Sequence, residues 1–172
     1  GQAEADAFRM WSPEDNPRLR CRPTSIILDW VFDGPVNRIA QQKGRIVIDY
    51  GLYSFERVIY MATDEHPANL MPSYAGHSIG RWDGDTLVVD TLGFEPGVLV
   101  APIRHSDRLH VVERFTLDPQ TVVLHRSYVA EDPVYFVGQY AGSDTVLAAD
   151  VPYEPRPCKE LTPEFSPQQP RP

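Results

Sequence analysis

The stretch that decides the fold runs Gly76-His77-Ser78-Ile79-Gly80-Arg81-Trp82-Asp83-Gly84-Asp85-Thr86-Leu87-Val88-Val89-Asp90-Thr91. Both arms alternate in residue character, and the Asp83-Gly84 dipeptide between them is a hairpin-turn signal. The pattern predicts two antiparallel strands and sets His77, Arg81 and Asp90 on them, where polar side chains face either water or a pocket. Two registers fit. If Asp83-Gly84 is a two-residue type I′ turn, Trp82 faces Asp85, Arg81 faces Thr86 and His77 faces Asp90. If Gly84 forms a bulge after a type I turn, the pairing shifts by one, His77 faces Val89 and Asp90 points to the other side. The first register makes a cross-strand His–Asp pair, in which the carboxylate orients the imidazole and raises its basicity.

Working outward, the same period continues. Asn37 to Gln42 and Arg45 to Leu52 flank a Lys43-Gly44 turn, and Tyr53-Ser54 turns the chain into Phe55 to Met61. In that strand Phe55, Arg57, Ile59 and Met61 share one face. A loop from Ala62 to Ala75, with His66-Pro67 and Met71-Pro72, is long enough for a lid or a pocket rim. A second loop covers Leu92 to Ser106. Arg108 to Thr116 and Thr121 to Ala130 form a hairpin across Leu117-Asp118-Pro119-Gln120, where proline suits the second turn position. A last pair is expected from Tyr135 to Tyr140 and Thr145 to Ala149, turning at Ala141-Gly142-Ser143-Asp144. Ser25 to Phe32 is apolar and fits a strand or a short helix equally.

Seven to nine short strands joined mostly as hairpins, with no helix long enough for βαβ crossovers, predict an all-β protein. The expected form is a single antiparallel meander barrel, lipocalin-like and closed or partly open, over residues 25–151. An irregular arm (1–24) precedes it and a Pro-rich tail (152–172) follows. A barrel of about eight strands has room for one small ligand.

Composition sets the outer bounds. The 172 residues suit one domain, and the net charge of −8 argues against nucleic acid and against an anionic membrane surface. No apolar run approaches the roughly 20 residues of a membrane-spanning helix. Seventeen prolines imply long ordered loops. Cys21 and Cys158 are the only cysteines, and neither has a CxxC neighbour. Both lie in Pro- and Arg-rich arms without core periodicity, which favours one disulfide tying the arms together over two buried thiols. In the chain-entropy model so long a loop contributes at most about 4–5 kcal/mol. Such a bridge needs an oxidising compartment, so the expected location is periplasmic or secreted, and Gly1-Gln2-Ala3-Glu4-Ala5 reads as the start of a processed chain.

Three segments carry a family likeness: Gly76 to Trp82, Gly84 to Thr91, and His105-Ser106-Asp107-Arg108-Leu109-His110-Val111-Val112-Glu113-Arg114-Phe115. With Asp132-Pro133 followed by an aromatic, they make the region from about Cys21 to Cys158 resemble a family of exported bacterial β proteins of uncharacterised function. The resemblance implies export and one compact β domain, and it carries no assigned chemistry.

The polar strand residues define the candidate site. His77 is the expected proton-transfer group, Asp90 its orienter and Arg81 or Tyr60 the stabiliser of an oxyanion. Arg57, Tyr60, Trp82, His105 and Glu113 are expected to line the ligand pocket, since a dry barrel core needs less inward polarity than these strands offer. The bland alternative for each is a solvated sheet face. His105-Ser106-Asp107 is no triad, because adjacent residues on an extended segment point to opposite faces and no nucleophile elbow is present. No histidine pair has a metal-ligand spacing, and no cofactor is expected. The function expected is an exported small-molecule-binding barrel, with isomerase or lyase acid–base chemistry on an apolar or aromatic compound. The alternative is a structural subunit of an extracellular or periplasmic assembly, whose terminal arms contact a second copy or a partner chain.

Overall fold

The computed structural model describes residues 5–6, 9–32, 36–53, 55–155 and 158–160. Residues 1–4 of the segment read as a processed start, the end of the Pro-rich tail (161–172) and Ser54 of the Tyr53-Ser54 turn lie outside them. The described chain is all-β. Its strands are β1 (Arg38–Gln42), β2 (Arg45–Tyr50), β3 (Phe55–Tyr60), β4 (His77–Asp83), β5 (Thr86–Leu92), β6 (Gly97–Val100), β7 (Ile103–His105), β8 (His110–Asp118), β9 (Val123–Glu131) and β10 (Gln139–Leu147). Eight of them form one curled, half-barrel sheet in the order β1-β2-β3-β4-β5-β8-β9-β10, and β6 and β7 make a separate two-stranded sheet. Among the named strands β1 and β10 are the two edges of the large sheet.

The segment Leu92 to Ser106, expected as a loop, instead carries the β6–β7 hairpin, and three expectations about the large sheet are corrected. First, the meander is broken once: β3 and β4 run parallel, with Ile59 opposite Ser78 and Tyr60 opposite Ile79. The 62–75 loop carries the chain back to the starting end, which no hairpin turn does. Second, Tyr135–Ala149 forms no hairpin; Gln139–Leu147 is one strand paired to β9 along its whole length. Gly142 is there for close approach, not for turning. A Cβ on it would lie 2.5 Å from the Tyr128 hydroxyl of the neighbouring strand.

Third, the β4–β5 hairpin takes neither expected register. Asp83 faces Thr86, Trp82 faces Leu87, Ile79 faces Asp90 and His77 faces Leu92. The turn residues are therefore Gly84-Asp85, and Gly84 (φ +62°) occupies the first central position, the one a type II′ turn reserves for glycine. This register sets Trp82 against Leu87, where the type I′ register would have set it against Asp85. Relative to that register the slip is two residues, so every side chain keeps its face. His77 and Asp90 still share a side, but they are no longer directly opposite.

The concave face holds the core. Ile46, Ile48, Tyr50, Ile59, Leu87, Val89 and Phe115 cluster around Trp30, which meets Phe115 and Tyr50 edge-on. Trp30 belongs to the segment 24–31, whose only regular element is the 3₁₀ turn Asp29–Val31. This segment plugs the half-barrel. Asp29 fixes its shape by accepting from the backbone N–H of Thr24 (2.6 Å) and Ser25 (3.2 Å) and from Arg18 (2.9 Å). Burial nevertheless pushes the Asp29 carboxyl above the usual range. The Cys21–Cys158 disulfide closes the arms together just before the plug.

Candidate functional site

The polar strand residues divide by face. On the concave side four charged groups form a ladder across β3, β8, β9 and β10, dry except at its part-exposed Asp144 end. Arg57 donates to Ser78 (2.9 Å), Thr91 (2.9 Å) and Glu113 (2.5 Å). Glu113 accepts also from Arg126 (3.1 Å), which bonds Asp144 (2.5 Å) and the backbone carbonyls of Ile26 (3.1 Å) and Ile27 (3.0 Å) in the plug. Arg57, Glu113 and Arg126 are all buried. Buried charges persist only where paired, and here the pairing locks the plug to the sheet. Arg57 and Glu113 are thus held by the protein itself, in an interior filled by Ile26, Ile27 and Trp30, not by an open ligand chamber.

The convex side gathers the residues expected to do proton transfer and adds two. From the loop, His66 lies over the sheet: its Nδ1 is 2.9 Å from Nδ1 of His77, and its Nε2 is 2.9 Å from Oδ1 of Asp90. The other Asp90 oxygen is 2.9 Å from Nε2 of His110. Tyr60 stacks on the His77 ring at 4.9 Å and 15°. His77, His66, Asp90 and His110 therefore form a chain with Tyr60 at its head. Hydrogen bonds from His110 and His66 hold the Asp90 carboxyl below the usual carboxylate range. The Asp90 bond raises His110, while burial and then the His66 ring beside it lower His77.

Sequence reasoning missed His66 and His110. His110 was visible as a polar residue alternating on β8, but nothing local ties it to Asp90. The signal for His66 was a histidine before proline in a loop long enough to fold back over a sheet. The chain is linear, not convergent, and no group of three or more His, Cys, Asp or Glu among the described residues is arranged to hold a metal ion.

The remaining expected residues stand apart. Arg81 shares the convex face but is exposed toward the hairpin turn, away from His77. His105 is buried in the small sheet, where its Nδ1–H donates to the Ser106 carbonyl (3.1 Å) and its ring meets Phe94 edge-on. Ser106 itself is held by Asp132, not Asp107: its hydroxyl donates to Oδ1 (3.0 Å).

Trp82, 53 % exposed, lies at the open end of the concave face. It borders a groove of about 710 Å³ whose walls include Ile39, Ile46, Leu87, Phe115 and Leu124, with Gln41 and Asp85 among its few polar groups. A second hollow of about 690 Å³ shares Ile39, Leu117 and Leu124 with it and continues past Trp30 to the end of β10. Comparison with protein-family models, curated proteins and solved structures gives no match.

Proposed function

We propose that the chain is an exported binding protein that takes a small apolar or aromatic compound in the groove at the open end of its half-barrel. One observation carries this reading: a concave apolar space of about 710 Å³ between β1–β2 and β8–β9, walled by core side chains and rimmed by Trp82. That volume is in the range that encloses a drug-sized molecule, and an apolar lining with few polar groups is the usual make-up of such sites. The plug supports the reading by filling the opposite part of the half-barrel and leaving this end free. The Cys21–Cys158 bridge supports export, since disulfides persist in oxidising compartments. No helix of the described residues is long and apolar enough to cross a membrane.

Titration with a neutral naphthalene dye, followed by dye and tryptophan fluorescence, tests the proposal. Dye should bind with a one-to-one stoichiometry, and Trp82→Ala and Leu117→Asp should each weaken it about tenfold or more, since each removes apolar contact worth 1–3 kcal/mol. Binding that is absent, or indifferent to both substitutions, defeats the proposal. Should the dye be excluded while light scattering shows a concentration-dependent dimer, the groove is an interface, and the alternative of a structural subunit takes over.

A further inference from the structure

The convex histidine chain has a direction that its chemistry fixes. Ionised Asp90 has only acceptors, so both imidazoles touching it must donate, His110 from Nε2 (2.9 Å) and His66 from Nε2 (2.9 Å). A neutral imidazole carries one proton, so a His66 that donates from Nε2 presents a bare Nδ1. The ring nitrogen facing it, His77 Nδ1 at 2.9 Å, must then be the donor. His77 has one proton too, which leaves its Nε2 as an unprotonated lone pair. That nitrogen makes no hydrogen bond to any described residue. A histidine that merely decorates a sheet needs no such wiring, yet here two further side chains set which of its nitrogens is bare.

We propose that His77 Nε2 is the base of a proton-transfer site on the convex face, with Asp90 and His66 as positioning residues, acting on a small planar carbon acid. The planar preference follows from Tyr60, whose half-exposed ring lies parallel to the imidazole and extends it as a flat apolar wall. In the step, Nε2 takes a proton from carbon. The C–H electron pair stays in the substrate, as an enolate or by expelling a leaving group, and the imidazolium returns the proton to the product or to water. Positive charge on His77 during that step is compensated through His66 by Asp90, the arrangement by which an oriented carboxylate serves a base. Other ionisable groups on this face are His110, Glu131 opposite it on β9, Arg45 opposite Tyr60 on β2, Asp49 and Glu56 farther along β2 and β3, Arg114 and His125 on β8 and β9, and Arg81 and Asp83 farther along β4. This site is separate from the groove: Trp82 lies on the other face of the sheet and at the other end of the strand.

A nitrobenzisoxazole tests it on the intact, disulfide-bonded chain, because removing its ring-carbon proton breaks the N–O bond and releases a coloured cyanophenolate. The expected result is a rate above that of free imidazole, rising with pH through a midpoint below the ordinary histidine value. His77→Ala should lower kcat/KM about 100-fold. Asp90→Asn should lower it about tenfold and move the midpoint, a shift that lost packing alone would not give. His125→Ala, on a histidine outside the chain, should leave it unchanged. A rate insensitive to His77→Ala, or abolished by Trp82→Ala instead, overturns the proposal. If His77→Ala does not fold, long-range proton–nitrogen NMR of the unsubstituted chain decides: His77 protonated on Nδ1 supports it, and His77 protonated on Nε2 overturns it.

Discussion

The two faces of one sheet carry similar residues to opposite ends. On the concave face Arg57, Glu113, Arg126 and Asp144 are linked by short charge-assisted bonds, and the plug covers them. On the convex face His77, His66, Asp90 and His110 are linked just as continuously, but they stay half-exposed and the chain stops at a nitrogen with no partner among the described residues. The concave ladder takes its electrostatic strength from dryness, and the same dryness makes any missing member costly. The convex chain is weaker and leaves one group available to something outside the protein. What separates the two is burial, not residue type: even in the ladder Arg57 Nη1 has no hydrogen-bond partner among the described residues, but no solvent or ligand reaches it.

The sharpest way to break the comparison is to open the ladder. Glu113→Ala leaves two buried guanidinium groups without their shared carboxylate, and denaturant unfolding should show a loss of about 3–5 kcal/mol. A loss near 1 kcal/mol would mean that water reaches the ladder and that the faces differ less than described.

The convex chain should answer to pH instead. NMR titration of the histidine ring protons should place His110 above the ordinary value of about 6.5 and His77 below it. The signs follow. What His110 contributes to stability is full below its unfolded pKa and is lost as pH rises through its raised folded value. What neutral His77 contributes is present above its unfolded pKa and is lost as pH falls through its lowered folded value. The reverse order of the two midpoints would refute the tautomers assigned to the chain. Smallest of all, Arg81→Ala should change stability by no more than about 0.5 kcal/mol, because this exposed side chain makes no hydrogen bond or ion pair with a described residue and only attracts the exposed Asp83 through solvent. A larger effect would show that the convex site extends to the hairpin turn.

Much of this architecture is legible in the residues. Alternation gave the positions of β1 to β5, β8 and β9 and the shared face of Arg57 and Ile59, because a period of two is a local property; it missed β6 and β7, which are too short to show a period. The pairing of Cys21 with Cys158 followed from there being only two cysteines, both in unpatterned arms. Both expected registers centred the turn on Asp83-Gly84, whereas Gly84-Asp85 is an equally acceptable two-residue turn and the one the chain adopts. The parallel β3–β4 contact and the place of His66 depend on where a long loop runs, which no short-range pattern encodes. Gly142 misled for a related reason: glycine serves turns and close contacts alike, and only the Tyr128 ring on the next strand tells them apart.

The covalent bridge also decides where a pulling force would go. Cys21 and Cys158 hold their Cα atoms 5.7 Å apart across a sequence separation of 137. Tension applied through the two arms passes from one to the other through the sulfur atoms, and the whole sheet hangs from that link as an unloaded side loop. Plug, groove and histidine chain would keep their shapes while a tether on either side was stretched, a mechanical shielding that depends on the single bond and on nothing in the strands.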